Sequence, residues 1–140
     1  MKLALYKGTR PGLPGVYNRL VRWWTASPYS HCELVFSDGM CGSSSWLDGG
    51  VRLKRIELDP DHWDVIDCPG NEDAAYFWFL QHQGEPYDLR GMFRFVWGGL
   101  RESRRKVFCS EAVAAALQIK EAWRYLPCHL ETLVLQRSVK

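Results

Sequence analysis

The chain has 140 residues and a mass of 16.2 kDa, which suits one compact domain (1–140) and leaves little room for a second core. Hydrophobic residues at 46% and charged residues at 24% exclude a disordered chain, and a net charge of +2 is too small to make nucleic acid the main partner. Seven Trp, six Tyr and six Phe imply that large side chains fill the core and line a cleft. No apolar run approaches the roughly 18 residues of a membrane span, and no signal-peptide pattern opens the chain, so a cytoplasmic location is expected. The five cysteines are odd in number and contain no CxxC pair, which argues against a disulfide scaffold or a zinc knuckle. Neither metal nor cofactor is expected.

Lys2 to Tyr6 predicts a short strand, followed by a loop through Pro11, Gly12, Pro14 and Gly15. Val16, Leu20, Val21 and Trp24 share helical spacing, which predicts a short amphipathic helix ending before Pro28. Ser30–Phe36 and Met40–Trp46 flank Asp38-Gly39, a hairpin signal. After a second turn at Asp48-Gly49-Gly50, Val51–Ile56 and Trp63–Cys68 read as further strands of an antiparallel meander. Asn71 caps a predicted helix from Ala74 to Gln83, ended by Gly84-Glu85-Pro86. Tyr87 to Leu100 is apolar without clear period, and Arg101–Lys106 reads as a solvated loop. Phe108-Cys109-Ser110-Glu111 then opens an alanine-rich helix that is expected to be buried. The expected fold is α+β: about four to six antiparallel strands packed on the Cys109 helix, with the Val16 and Ala74 helices outside.

Cys109 stands at the first turn of that helix, where the helix N-terminus favours a thiolate. A small buried packing residue is the plainer reading of a cysteine, and it is the one adopted for Cys32, Cys41, Cys68 and Cys128. His31 shares a strand face with Glu33 by period-2 geometry, an acid beside an imidazole, whereas Cys32 faces the other way. The Asp38-Gly39 turn folds Ser43, Ser44 and Ser45 back beside His31, so a hydroxyl is a further candidate partner, subject to register. His62, His82 and His129 read as surface or packing residues.

Ser30-His31 on a strand, the Asp38-Gly39 hairpin, Gly84-Glu85-Pro86-Tyr87-Asp88, and Phe108-Cys109-Ser110-Glu111 before an alanine-rich helix together resemble the circularly permuted branch of the papain-like NlpC superfamily, in which the His strands precede the Cys helix. The layout is also similar to that of small phage-encoded proteins. The resemblance spans roughly Leu3 to Leu117. It implies Cys109 as nucleophile and His31 as general base of a thiol hydrolase that cleaves an amide or ester bond, with no cofactor. It places Ser43 at the third polar position, with Glu33 or Asp48 as replacements. It also puts Tyr87 and Ser110 in the cleft, Tyr87 as an oxyanion donor beside the Cys109 backbone N–H. The implied partners are a peptide, a peptidoglycan-type peptide or a lipid-like substrate. An inactive binding module, as in a phage particle, and a lipid acyltransferase are the alternatives.

Overall fold

The computed structural model describes residues 1–87 and 107–138, apart from the side chains of Trp24, Arg137 and Ser138. The stretch read as apolar beyond Tyr87, with Asp88, Trp97 and the Arg101–Lys106 run, lies outside these residues. Five strands, β1 (Lys2–Tyr6), β2 (His31–Val35), β3 (Cys41–Ser45), β4 (Gly50–Lys54) and β5 (Trp63–Asp67), form one open antiparallel sheet in the order β4-β3-β2-β1-β5. Strands β2 to β4 are joined by the two predicted hairpins. β1 lies between β2 and β5, with Leu5 opposite both Cys32 and Asp64.

Alternation sends side chains to two buried faces. Leu3, Leu5, Cys32, Leu34 and Val51 join one cluster, while Ala4, Tyr6 and Trp63 form a second, capped by Ile56 and Leu58 from the connection between β4 and β5.

Among the described residues the helices are α1 (Leu13–Thr25), α2 (Glu72–His82), α3 (Cys109–Ala116) and α4 (Pro127–Ser138), with a 3-10 turn at Ala122–Arg124. α3 packs across β2 and β3, and its buried Ala112, Ala114 and Ala116 permit the close approach. The Asn71 side chain caps α2 by accepting from the Ala74 N–H at 3.0 Å, and Glu72 and Asp73 occupy its positive end. α2 does not lie outside the meander: Ala75 and Phe79 enter the α3 cluster, and so do Leu130 and Val134 of α4. The reason is that β3 presents Gly42 there, where a Cβ would stand 2.6 Å from the Phe79 ring, so the ring fills the space.

α1 is turned inside out. Leu13, Val16, Leu20 and Trp23 are 75%, 55%, 55% and 77% exposed. Its inward face is polar: Asn18 donates to the Ser30 hydroxyl at 2.9 Å, and Arg22 donates to the carbonyls of Lys7 and Gly8. These bonds tie α1 to the end of the sheet where β2 begins.

Candidate active site

β2 and β3 are paired at Leu34↔Gly42 and Val35↔Cys41. Toward His31 the ladder gives way, and the Ser43 hydroxyl donates to the Cys32 carbonyl at 2.7 Å. Cys109, the first residue of α3 after an extended Phe108 cap, meets the start of β2 beside this opening. The His31 side chain, the Cys32 thiol and the Cys32 backbone N–H are the groups that govern the charge of its thiol.

His31 faces two ways. Its Nε2 lies 2.7 Å from Glu33 Oε1, which leaves Nδ1 as the ring nitrogen for the thiol. Glu33 is fully buried on the sheet face opposite α3, and it is clamped by Arg52: Nη1 donates to Oε2 at 2.6 Å and Nη2 to Oε1 at 2.5 Å. Arg52 Nε in turn donates to Asp48 Oδ2 at 2.9 Å, and Lys54 Nζ to Asp48 Oδ1 at 2.5 Å. A buried carboxylate is tolerable only with partners that replace its hydration, and the fork geometry of arginine supplies two parallel donors. Charges therefore alternate from the thiol through imidazole, carboxylate, guanidinium and carboxylate to the ammonium at the surface.

This alternation sets the protonation states. Cys32 hydrogen bonding, ahead of the opposing effect of burial and with the help of His31, holds the Cys109 thiol well below its ordinary value. Burial works against an imidazolium at His31, but the Cys109 charge, the bond to Cys109 and Glu33 outweigh it and raise His31 from 6.5 to about 9. Burial likewise works against the Glu33 carboxylate, yet Arg52 and His31 hold it below its ordinary range. Burial, reinforced by the bond and charge of Cys109, pushes the Cys32 thiol well up, so Cys32 remains an S–H donor. These shifts run in the directions that favour a thiolate–imidazolium pair backed by a carboxylate.

Tyr17 of α1 and Tyr87 share a hydroxyl–hydroxyl hydrogen bond of 2.7 Å, and burial together with the Cys109 charge raises both phenols. Tyr87 is brought there by the edge of β4. Val51 N–H donates to the Glu85 carbonyl at 2.8 Å, and Gly50, at φ 150°, lets the Glu85 carbonyl approach to where a Cβ would clash. Val107 N–H donates to the Pro86 carbonyl at 3.0 Å, which sets Tyr87 close in space to the start of α3. A pocket opens here, lined by Tyr6, Tyr17, His31, Trp46, Leu47 and Tyr87 among others.

Of the residues singled out in the sequence, the structure brings Cys109, His31, Glu33 and Tyr87 together. Ser43 is not at the imidazole; its hydroxyl is spent on the Cys32 carbonyl because β2 and β3 separate there. Asp48 supports Arg52 and does not touch His31. The Ser110 hydroxyl donates to the Tyr125 carbonyl at 2.6 Å, so it ties α3 to the following turn and does not enter the cleft. His62 pairs with Asp59 and lies beside the Tyr6 ring, and His82 stacks on Trp78. Three members of the site were not singled out in the sequence: Cys32, Arg52 and Tyr17. A buried acid on the His31 strand called for an arginine, and two hairpins carry β2 to Arg52. No sequence signal marked the Cys32 thiol, because it points to the opposite face from His31. Among the described residues, no three His, Cys, Asp or Glu side chains are grouped as a metal set. The chain matches no protein-family model and no curated protein.

Proposed function

We propose that the protein is a thiol hydrolase of the permuted papain-like type, with Cys109 as nucleophile, His31 as acid–base and Glu33 as the residue that orients and charges the imidazole. The observation that supports this reading is the hydrogen-bonded line from His31 through Glu33 to Arg52, with the Cys109 thiol held down by Cys32 and by the His31 charge. The Cys109 thiolate adds to an amide or ester carbonyl, and the oxyanion so formed is met by the Cys109 backbone N–H at the start of α3, with the Tyr87 hydroxyl beside it. Collapse of the tetrahedral intermediate breaks the bond to the leaving group, which takes its proton from the His31 imidazolium. Water then gives a proton to His31 as it attacks the thioester, which releases the acid and restores the ion pair. Arg52 keeps Glu33 ionised and fixed, so it acts as a positioning residue.

The test is selective alkylation and acylation. Iodoacetamide at about pH 6 should label Cys109 ahead of the other four thiols, including the more exposed Cys128, because an ordinary thiol is less than about 1% thiolate there. p-Nitrophenyl acetate should leave an acetyl group on Cys109 that is lost in the His31→Ala variant. Equal, slow labelling of all five cysteines with no acetyl adduct would overturn the assignment.

A further inference from the structure

The pocket beside His31 carries a cation that the chemistry above does not use. Arg10 lines it, and no Asp or Glu is among the described residues that do so. Its guanidinium has no carboxylate partner among the described residues; it lies over the Tyr6 ring, with Cζ 5.3 Å from the centroid. The neighbouring cations are all engaged: Arg52 with Glu33 and Asp48, Lys7 with Asp64, Arg22 with the carbonyls of Lys7 and Gly8.

The placement of Arg10 is built into the fold. Arg22 ties down the preceding loop, through the Thr9 hydroxyl as well as the two carbonyls, and the Arg10 N–H donates to the Asn18 side chain at 3.4 Å. Tyr6 on β1 is paired directly opposite His31 on β2, so the two rings leave the same face of the sheet as neighbours. The guanidinium therefore stands one ring beyond the imidazole. The rest of the wall includes Tyr17, Trp46, Leu47 and Tyr87, and about 410 Å³ of space lies between them, room for one small apolar or aromatic group. A group that enters displaces water from Arg10, and the partner that matches the planar fork is a carboxylate. One guanidinium balances a single negative charge, which favours a carboxylate over a dianionic phosphate.

We propose that Arg10 is the specificity-determining residue of this pocket, and that the part of the substrate bound there carries a carboxylate beside an apolar or aromatic group. Calling the bound molecule a substrate rests on the hydrolase reading, whereas the binding itself does not. The experiment is an NMR titration of the isotope-labelled full chain with hydrocinnamate against hydrocinnamide, followed at the Trp46 indole N–H. The acid should shift that signal and bind about tenfold more tightly than the amide. Arg10→Gln should bring the two ligands within about twofold of each other, and Arg10→Lys, which keeps the charge without the fork, should retain part of the difference. His31→Gln should retain the preference, and so should Cys109→Ala. Because binding needs no nucleophile, failure of the hydrolase reading, seen as absence of an acetyl adduct on Cys109, is distinguishable from failure of this one. No shift with hydrocinnamate, equal affinity for acid and amide, a preference indifferent to Arg10→Gln or abolished by His31→Gln, or tighter binding of phenyl phosphate would each overturn the assignment.

Discussion

His31 owes its charge to two neighbours that reach it from opposite sides, and each contribution can be removed separately. Replacing Glu33 by Gln keeps the shape but removes the carboxylate that favours the imidazolium, so the His31 titration midpoint, raised to about 9 in the native protein, should move down in an NMR titration. Cys109→Ala should also lower it, because the thiolate is the larger of the favourable influences. That variant deletes one sulfur at the end of a helix, so its stability should lie within about 1 kcal/mol of the parent by urea denaturation. Cys32→Ala tests the thiol donor directly: Cys109 loses a hydrogen bond from S–H, and its alkylation at about pH 6 should slow several-fold, with His31 still in place. Unchanged alkylation would make Cys32 a packing residue.

Strand pairing brings the supporting groups together, and the cost of disturbing them depends on which partner remains. Arg52→Met leaves Glu33 as a buried carboxylate with only His31 against it and should cost about 3 kcal/mol in chemical denaturation. Adding Glu33→Gln removes the stranded charge, so the double variant should recover a large part of that loss while remaining poor in acylation. A double variant no more stable than Arg52→Met would show that the guanidinium contributes through packing and not through the ion pair. At the contact of β3 with α2, Gly42→Ala sets a methyl group against the Phe79 ring and should cost about 1–3 kcal/mol, with partial recovery on Phe79→Leu.

For the whole molecule, the thiolate–imidazolium pair predicts the shape of stability against pH. Taken alone, His31 stabilises the fold fully below its ordinary 6.5 and loses that contribution as pH rises through about 9. Cys109, shifted downward, stabilises fully above its ordinary 9.0 and loses its contribution as pH falls through its depressed value. Between 6.5 and 9 the folded pair holds one proton on His31 and the unfolded chain holds one on Cys109, so the two slopes cancel. Stability from this site should be flat across that window, fall above about 9 and fall below 6.5. Asp48, held down to about 2 by Lys54 and Arg52 against the effect of burial, adds a contribution present above 3.8 and lost as pH falls through about 2. Denaturation midpoints measured across this range check the flat region; a steady slope from 6.5 to 9 would mean that the resting pair is neutral.

Local chemistry in the sequence was enough to place the strands at Lys2–Tyr6 and Trp63–Asp67, the hairpin at Asp38-Gly39, the Asn71 cap and the helix that opens at Cys109, because alternation, turn residues and caps act within a few residues. The proximity of Glu33 to His31 was legible for the same reason, since period-2 geometry places them on one face. The roles of Ser43, Ser110 and Arg52 were decided by tertiary structure. Whether a hydroxyl meets an imidazole or a carbonyl depends on where β2 and β3 part, and whether an arginine is a solvated strand residue or a buried clamp depends on what covers that sheet face. α1 shows the limit most plainly. The spacing of Val16, Leu20, Val21 and Trp24 marked a helix, but periodicity carries no sign: Val16 and Leu20 face out and Val21 is half-buried, while the polar anchors Asn18 and Arg22 face in.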